Sequence, residues 1–397
     1  MGITRVGITG KAIRRGRGRI LATGVLGAAL IVTLGAAAPA AGSRSRAGAV
    51  TDDNFGLNAV SALSALDAWA VGDGATVLHW NGTSWAPVKI PGLPVNVHLH
   101  AVDAVSPSDV WAAGEAFATG SPVKTLIVHW NGSAWKQVAS PNPPKTSPDF
   151  FSLSMDSATD GWALGQASTR TGTVTSLVAH WNGTSWQQVT TSPSFFFAGV
   201  ASLSPTNATA VGSEQTGSHT FTPAAFHWNG TSWAQTATLP PPRGVPASQL
   251  VGADGLSAPS AADMWTLGAR QTSAGARNLA WHWNGTRWTV MAVPSPGITT
   301  TGESGLVSVA AISPANVWAV GFTATSNAQA TVSVHWNGTS WSQVATPNPG
   351  GSNESAVLNG LAAAGPGNIW AVGYYYTGFQ IPNTLILRWN GTRWIRS

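Results

Sequence analysis

The chain has 397 residues, with 45 Gly, 25 Pro, 21 Trp and no Cys, and only 9% of its residues are charged. The lack of cysteine excludes a disulfide scaffold, a thiolate metal site and a cysteine nucleophile. The net charge of +5 belongs to the first 40 residues, which carry six Lys and Arg and no acid; from residue 41 onward 14 basic residues face 15 acidic ones, so nucleic acid is not expected as a partner.

The basic stretch 1–19 precedes a 15-residue apolar run, Ile20 to Leu34, and then the small residues Gly35-Ala36-Ala37-Ala38-Pro39-Ala40-Ala41. This order reads as a secretory signal peptide over residues 1–41, cleaved near Ala40 or Ala41. An uncleaved anchor is the rival, since Ile20 to Ala41 is 22 residues and could just span a bilayer; alanine and glycine dilute the stretch and favour cleavage. Residues 42–53 read as a flexible linker and 54–397 as the folded domain. A secreted or envelope-associated monomer, off the membrane once cleaved, is the expectation.

Seven repeats follow. Trp-Asn-Gly-Thr/Ser-x-Trp begins at Trp80, Trp130, Trp181, Trp228, Trp283, Trp336 and Trp389. Each copy is preceded by a second signature, as in Asp67-Ala-Trp69-Ala-Val-Gly72 and Asn316-Val-Trp318-Ala-Val-Gly321; the fourth copy has Thr209 in the Trp position. Together the signatures absorb every tryptophan except Trp281. β-branched and aromatic runs between Gly, Pro, Asn and Ser clusters make four strands per repeat, A to D. In the C–D hairpin the Asn-Gly pair predicts a two-residue turn with Trp130 opposite Ser133 and the tryptophans as diagonal, stacked neighbours; a type I turn with a glycine bulge is the alternative. A four-stranded unit of about 50 residues cannot bury both faces alone, so seven of them predict an all-β, seven-bladed β-propeller of antiparallel blades.

Connection lengths separate two faces. The A–B spacing is nine residues and the C–D spacing five in every repeat, as in Val60 to Trp69 and Trp80 to Trp85. The B–C and D–A connections vary, and the first B–C span, Trp69 to Trp80, is the shortest of its kind at 11. Variable loops on a rigid frame are where recognition is expected.

The candidate chemistry is sparse. Six histidines sit in His-Trp-Asn-Gly, with Arg388 at the seventh place; they are read as packing, not as a metal ring, because equivalent atoms of different blades lie far apart. Four Asp and three Asn precede the strand B position and are read as turn caps. His98 and His100 share one side of a strand but make a weak ligand set alone. Glu115 and Glu214 follow strand B of different blades on the variable face. Phe195, Phe196 and Phe197 are read as core, and Tyr374, Tyr375 and Tyr376 as the best ligand contacts. No catalytic constellation, metal site or cofactor is expected. The repeated Asn-x-Ser/Thr is read as a by-product of the hairpin.

Asp-Val-Trp-Ala-Val-Gly followed by His-Trp-Asn-Gly-Thr-Ser-Trp resembles the repeats of secreted bacterial propeller proteins grouped loosely with kelch/galactose-oxidase-like and BNR-like propellers. The resemblance covers about residues 54–397. The chain lacks the kelch Gly-Gly doublet, the Trp-Asp dipeptide of WD40 and a full Asp-box. The resemblance implies the fold; function is expected to be non-catalytic binding of a glycan or protein, with a glycan-active hydrolase or lyase, or a structural envelope protein, as alternatives.

Overall fold

The computed structural model describes residues 55–94, 96–217, 220–297, 303–324, 328–351 and 354–397. The signal peptide and linker expected over residues 1–53 lie outside the described residues. Seven four-stranded antiparallel sheets form, each from one repeat with its strands in sequence order. The chain is a seven-bladed β-propeller. Blade 2 is representative, with strands Asn96–Ser106, Asp109–Phe117, Lys124–Trp130 and Trp135–Val138. Its Val-Trp-Ala-Ala-Gly run is buried on both faces, as a sheet packed between two others requires.

Blades meet through tryptophan. Trp69 of blade 1 lies 5.3 Å from Trp130 and 5.5 Å from Trp135 of blade 2. Trp111, Trp162, Trp265 and Trp318 enter the hairpin pair of the next blade in the same way. Trp370 of blade 7 enters between Trp80 and Trp85 of blade 1, at 4.9 and 5.0 Å, and closes the ring. The hairpin tryptophans are tilted rather than stacked (47° for Trp80 and Trp85), because both make room for this third ring. The fourth interface has Thr209 instead. There Trp281, fully buried, packs from blade 5 with Val211 and Leu239 of blade 4, and its indole donates to the Pro240 carbonyl at 2.8 Å. The tryptophan outside the repeats compensates for the missing one.

Two expectations are corrected. Trp130 pairs directly with Trp135, so the C–D loop has four residues, not two. Asn131 Oδ1 accepts from the Ser133 and Ala134 N–H groups, and positive φ falls on Gly132 rather than on Asn131. The asparagine side chain mimics a backbone turn, which removes the need for left-handed backbone at that residue. The strand B acids, in turn, do not cap backbone. Asp67, Asp109, Asp160 and Asp263 lie 3.0, 2.8, 2.7 and 2.9 Å from the Nε2 of His79, His129, His180 and His282. The side chains of strands B and C share a face here, which brings carboxylate and imidazole together. Asn316 engages His335 likewise at 2.9 Å. Each imidazole stacks on the strand B tryptophan, 4.2 Å apart for Trp69 and His79. In blade 7 the Arg388 guanidinium takes that place, 5.2 Å from the Trp370 ring, and both side-chain polar atoms of Asn368 are left buried without a partner.

Strand A surrounds the axis, where Val60, Asp103, Leu153, Ser257 and their equivalents line a cavity of about 340 Å³. Each blade supplies one complete sheet, so the first and seventh blades meet without a shared strand. Asn359 Nδ2 donates to the Leu57 carbonyl at 2.9 Å and Thr384 Oγ1 to that of Phe55 at 3.0 Å. Asn54, expected to help this closure, lies outside the described residues.

Candidate functional site

The hairpin tryptophans tie the uniform face together. Trp80, Trp130 and Trp181 donate from Nε1 to the carbonyls of Ala65, Pro107 and Ala158 in the A–B turns. The B–C and D–A loops therefore occupy the opposite face.

On that opposite face, a bulge in strand A sets the local geometry. In blade 2 the strand A–B register slips between Leu99 and Ala101, leaving His100 as the extra residue. The bulge drives the His98 carbonyl against strand B, where a Cβ on Gly114 would stand 1.9 Å from it. This explains the glycine that ends the strand B signature. Bulges re-aim side chains. Here the His98 and His100 rings lie on the same side, 6.2 Å apart and within 7° of parallel.

Each histidine meets a carboxylate from a neighbouring blade. His98 Nδ1 is 2.9 Å from Asp73 Oδ1 of blade 1, and His100 Nε2 is 3.5 Å from Asp149 Oδ2 of blade 3. Asn58, the bulge residue of blade 1, donates from Nδ2 to Asp73 Oδ1 and to the Leu99 carbonyl, both at 3.0 Å. Asp73 owes its place to the short first B–C connection: the Gly72 N–H bonds to the Thr76 carbonyl, the Gly74 N–H to the Val97 carbonyl, and Ala75 is left at φ 60°, an uncommon conformation for a residue with a Cβ. Glu115, on strand B of blade 2, pairs in register with His98.

Burial and neighbours drive these groups apart electrostatically. Burial raises the Asp73 carboxyl, but the His98 hydrogen bond and charge and the Asn58 amide outweigh it, and Asp73 stays below the ordinary range. The Asp73 hydrogen bond raises His98 against its burial. Burial lowers His100. Burial, then the Asp149 charge, pushes Glu115 up to about 7, and burial pushes Asp149 up to about 8. Oδ1 of Asp149 is buried with no hydrogen-bond partner. At neutral pH His100 is therefore neutral, Asp149 is largely protonated and Glu115 is near its midpoint, beside the His98–Asp73 hydrogen bond.

Blade 7 adds two phenols. Tyr374 and Tyr376 pack edge to face at 5.6 Å. Tyr374 also lies against Gly56, where an added Cβ would come within 3.1 Å of its ring. Burial, then Tyr376 and Asp73, pushes the Tyr374 hydroxyl up to about 12. Tyr375 points the other way. It is buried in the core between blades 6 and 7, with the Arg396 guanidinium 4.6 Å over its ring and bonded to its hydroxyl. Glu214 stands on blade 4, paired in register with Phe195 and Thr222 and outside this group.

Thus Glu115, Tyr374 and Tyr376 stand in or beside the His98–Asp73 group, while Tyr375 and Glu214 do not. The structure also brings His98 beside Asp73 and His100 beside Asp149, two acids the sequence reading passed over. The signals were present. Asp73 follows Gly72 in the shortest B–C connection, and Asp149 precedes Leu153 by four residues, as His98 precedes Val102. Among the described residues no three His, Cys, Asp or Glu groups converge well enough to hold a metal ion.

The chain matches no protein-family profile, and no curated protein matches it by sequence. Solved structures do share its fold. An ulvan lyase bound to a GlcA-containing saccharide is 11% identical with a TM-score of 0.55, covering 86% of this chain and 96% of that one. A family 74 xyloglucanase from Xanthomonas campestris is 13% identical with a TM-score of 0.54, covering 86% of this chain and 55% of that one. YCF48 bound to D1 peptide is 14% identical with a TM-score of 0.50, covering 85% of this chain and 93% of that one. At such identities the likeness establishes the β-propeller fold, one that carries both binding proteins and glycan-active enzymes.

Proposed function

We propose that the chain is an exported propeller of the secreted bacterial repeat type whose ligand, a glycan or a peptide segment, binds at the mouth on the variable face. The observation that carries this reading is the meeting of Asp73, His98, His100, Glu115 and Asp149 from three blades, flanked by Tyr374 and Tyr376. Ionisable groups perturbed by burial and by specific charged partners are candidates for a functional site. The stiff blades hold these side chains in place before a ligand arrives, which lowers the ordering cost of binding. Propellers of the same fold that hold a peptide or a saccharide support the ligand classes.

The test is one preparation. Full-length protein is expressed with export, and its N-terminus is sequenced; it should begin near Ala41 or Gly42. Glycan and peptide arrays are then probed with it and with His100→Ala. The variant should lose most of the signal that the parent shows. Equal signal from both proteins moves the ligand elsewhere, and an intact Met1 in a membrane pellet replaces the exported form with an anchored one.

A second reading has its own support. His100, 3.5 Å from Asp149 and disfavoured as a cation by burial, stands beside carboxyls whose ionisation burial delays to about 7 and about 8, a base next to acids, which is the division that acid–base cleavage of a glycan needs. Chain shortening of an array-positive polysaccharide, lost in His100→Ala, would favour it over simple binding.

A further inference from the structure

Strand A of each blade lies beside strand A of the next, and side chains of one reach the backbone of the other. Ser61 Oγ accepts from the Ala104 N–H at 3.2 Å and Asp103 Oδ2 from that of Met155 at 2.8 Å. Ser152 and Ser154 accept from Val200 and Ser202 at 3.1 and 3.0 Å, Ser257 from Ala311 at 2.9 Å and Ser308 from Leu361 at 3.1 Å. At the ring closure Asn359 bonds the Leu57 carbonyl. Between blades 4 and 5, Ala198, Gly199 and Ala201 occupy the positions of these side chains. Among the described residues no hydrogen bond joins strand A of blade 4, Phe195–Ser204, to strand A of blade 5, Leu250–Ser260. The same boundary lacks the indole wedge: with Thr209 in the Trp position, Trp283 and Trp288 stand 5.8 Å apart with no strand B ring between them. Strand A of blade 5 is also the least regular, since its pairing with strand B shifts at three places against one or two in the other blades.

What spans this boundary is a length of chain. The connection over residues 239–249 starts at Leu239, fully buried, whose N–H bonds to the Pro223 carbonyl on strand C of blade 4 at 2.9 Å. The next carbonyl, that of Pro240, accepts from the Trp281 indole of blade 5 at 2.8 Å. Further on, the short turn Ala247–Gln249 lies against strand C of blade 4 and strand B of blade 5. Residues 243–244 and 246–249 are exposed, so the connection is fixed at its ends and at this turn, and open to solvent along its length.

We propose that the ring opens at the boundary between blades 4 and 5, and that residues 239–249, pinned by Trp281, are the strap that holds it shut. Local opening takes place where the fewest specific contacts are lost. Elsewhere a directional hydrogen bond at the axis fixes each strand A against the next, whereas the apolar contact of Trp281 with Val211 and Leu239 is non-directional and tolerates sliding. Opening here leads from the side into the axial cavity, which Ala201, Ser202, Leu256 and Ser257 help to wall. The strap is thus the gate of a lateral entrance that bypasses the loops of the variable face.

The chain contains no cysteine, so one introduced thiol reports on one boundary. Ala201 of blade 4 and Ala310 of blade 6 form a matched pair. Each stands one residue after the apolar position shared by all blades, is 8% exposed and lines the axial cavity; they pair in register with Thr209 and Trp318. Full-length Ala201→Cys and Ala310→Cys proteins are labelled with a maleimide under native conditions, each rate divided by that of the unfolded chain. The thiol at position 201 should react at least about tenfold faster, a difference of ~1.4 kcal/mol in the free energy of opening. Adding Trp281→Phe, which keeps a ring but removes the bond to Pro240, should speed labelling at position 201 about fivefold, the factor that one net hydrogen bond supplies, and leave position 310 unchanged. Equal rates at the two positions, or a faster rate at 310, would overturn the opening. A Trp281→Phe effect that is absent at 201, or the same at both positions as general destabilisation gives, would overturn the strap.

Discussion

Position 388 shows how one residue can undo a repeated solution. In five blades an Asp or Asn at the start of strand B faces a histidine of strand C, which stacks on the strand B tryptophan. In blade 7 Arg388 lies over Trp370 instead, and Asn368 loses its partner. A buried amide with nothing to bond costs ~1–3 kcal/mol, and the cation–π contact offsets ~0.5–1 kcal/mol of it. Arg388→His should therefore raise stability by about 1 kcal/mol, read as a higher urea midpoint with an unchanged slope, because an imidazole at this position can meet Asn368 as His335 meets Asn316. A lower midpoint would mean that the guanidinium contributes more at the ring closure than the lost hydrogen bonds. The repeat signature, with its Asp, His and Trp, was visible in the sequence, but not that its first and second members bind each other. That depends on strands B and C presenting those side chains on one face, a matter of register.

At the scale of the element, the shortest strands hold central interface residues. Strand D is only three to six residues long, Trp394–Arg396 in the last blade, yet its tryptophan is almost wholly buried, 5.6 Å from Trp318 of blade 6 and hydrogen-bonded to Ser333 Oγ at 3.1 Å. Deleting residues 393–397 removes that ring, the Ser397 bond to Ile386 and the Arg396 cover of Tyr375. Loss of one fully buried aromatic alone costs ~3–5 kcal/mol. The truncated protein should unfold at a markedly lower temperature, with hydrogen exchange rising first in blades 6 and 7; an unchanged melting curve would show that strand D is dispensable. Strand order and blade count were legible because turn residues and tryptophans recur at fixed spacing. The C–D loop is longer than the sequence predicts, since Asn-Gly usually signals a two-residue turn and the Asx bonds that permit four residues are a side-chain effect.

At the scale of the whole ring, six of the seven blades divide into two kinds of neighbourhood. At the bulge level of strand A, blades 7, 1 and 2 carry Asn359, Asn58 and His100, whereas blades 3, 4 and 6 carry Phe151, Ala198 and Val307. The polar side reaches across blade boundaries through Asn359 to Leu57, Asn58 to Leu99 and His100 to Asp149, and it is there that Tyr374 and Tyr376 stand. A sequence can display which loops vary, but closure of the ring alone sets residue 374 near residue 73, and for that reason Glu115 and the tyrosines could be nominated while Asp73 and Asp149 could not. The most direct measurement is hydrogen–deuterium exchange of the exported protein with and without the ligand that the arrays select. Protection should fall on residues 73–76, 96–100, 115–117 and 374–376, with the Asn-Gly turns of the uniform face unaltered. Protection concentrated on those turns, such as residues 131–134 and 337–340, would contradict the assignment of the ligand site to the variable face.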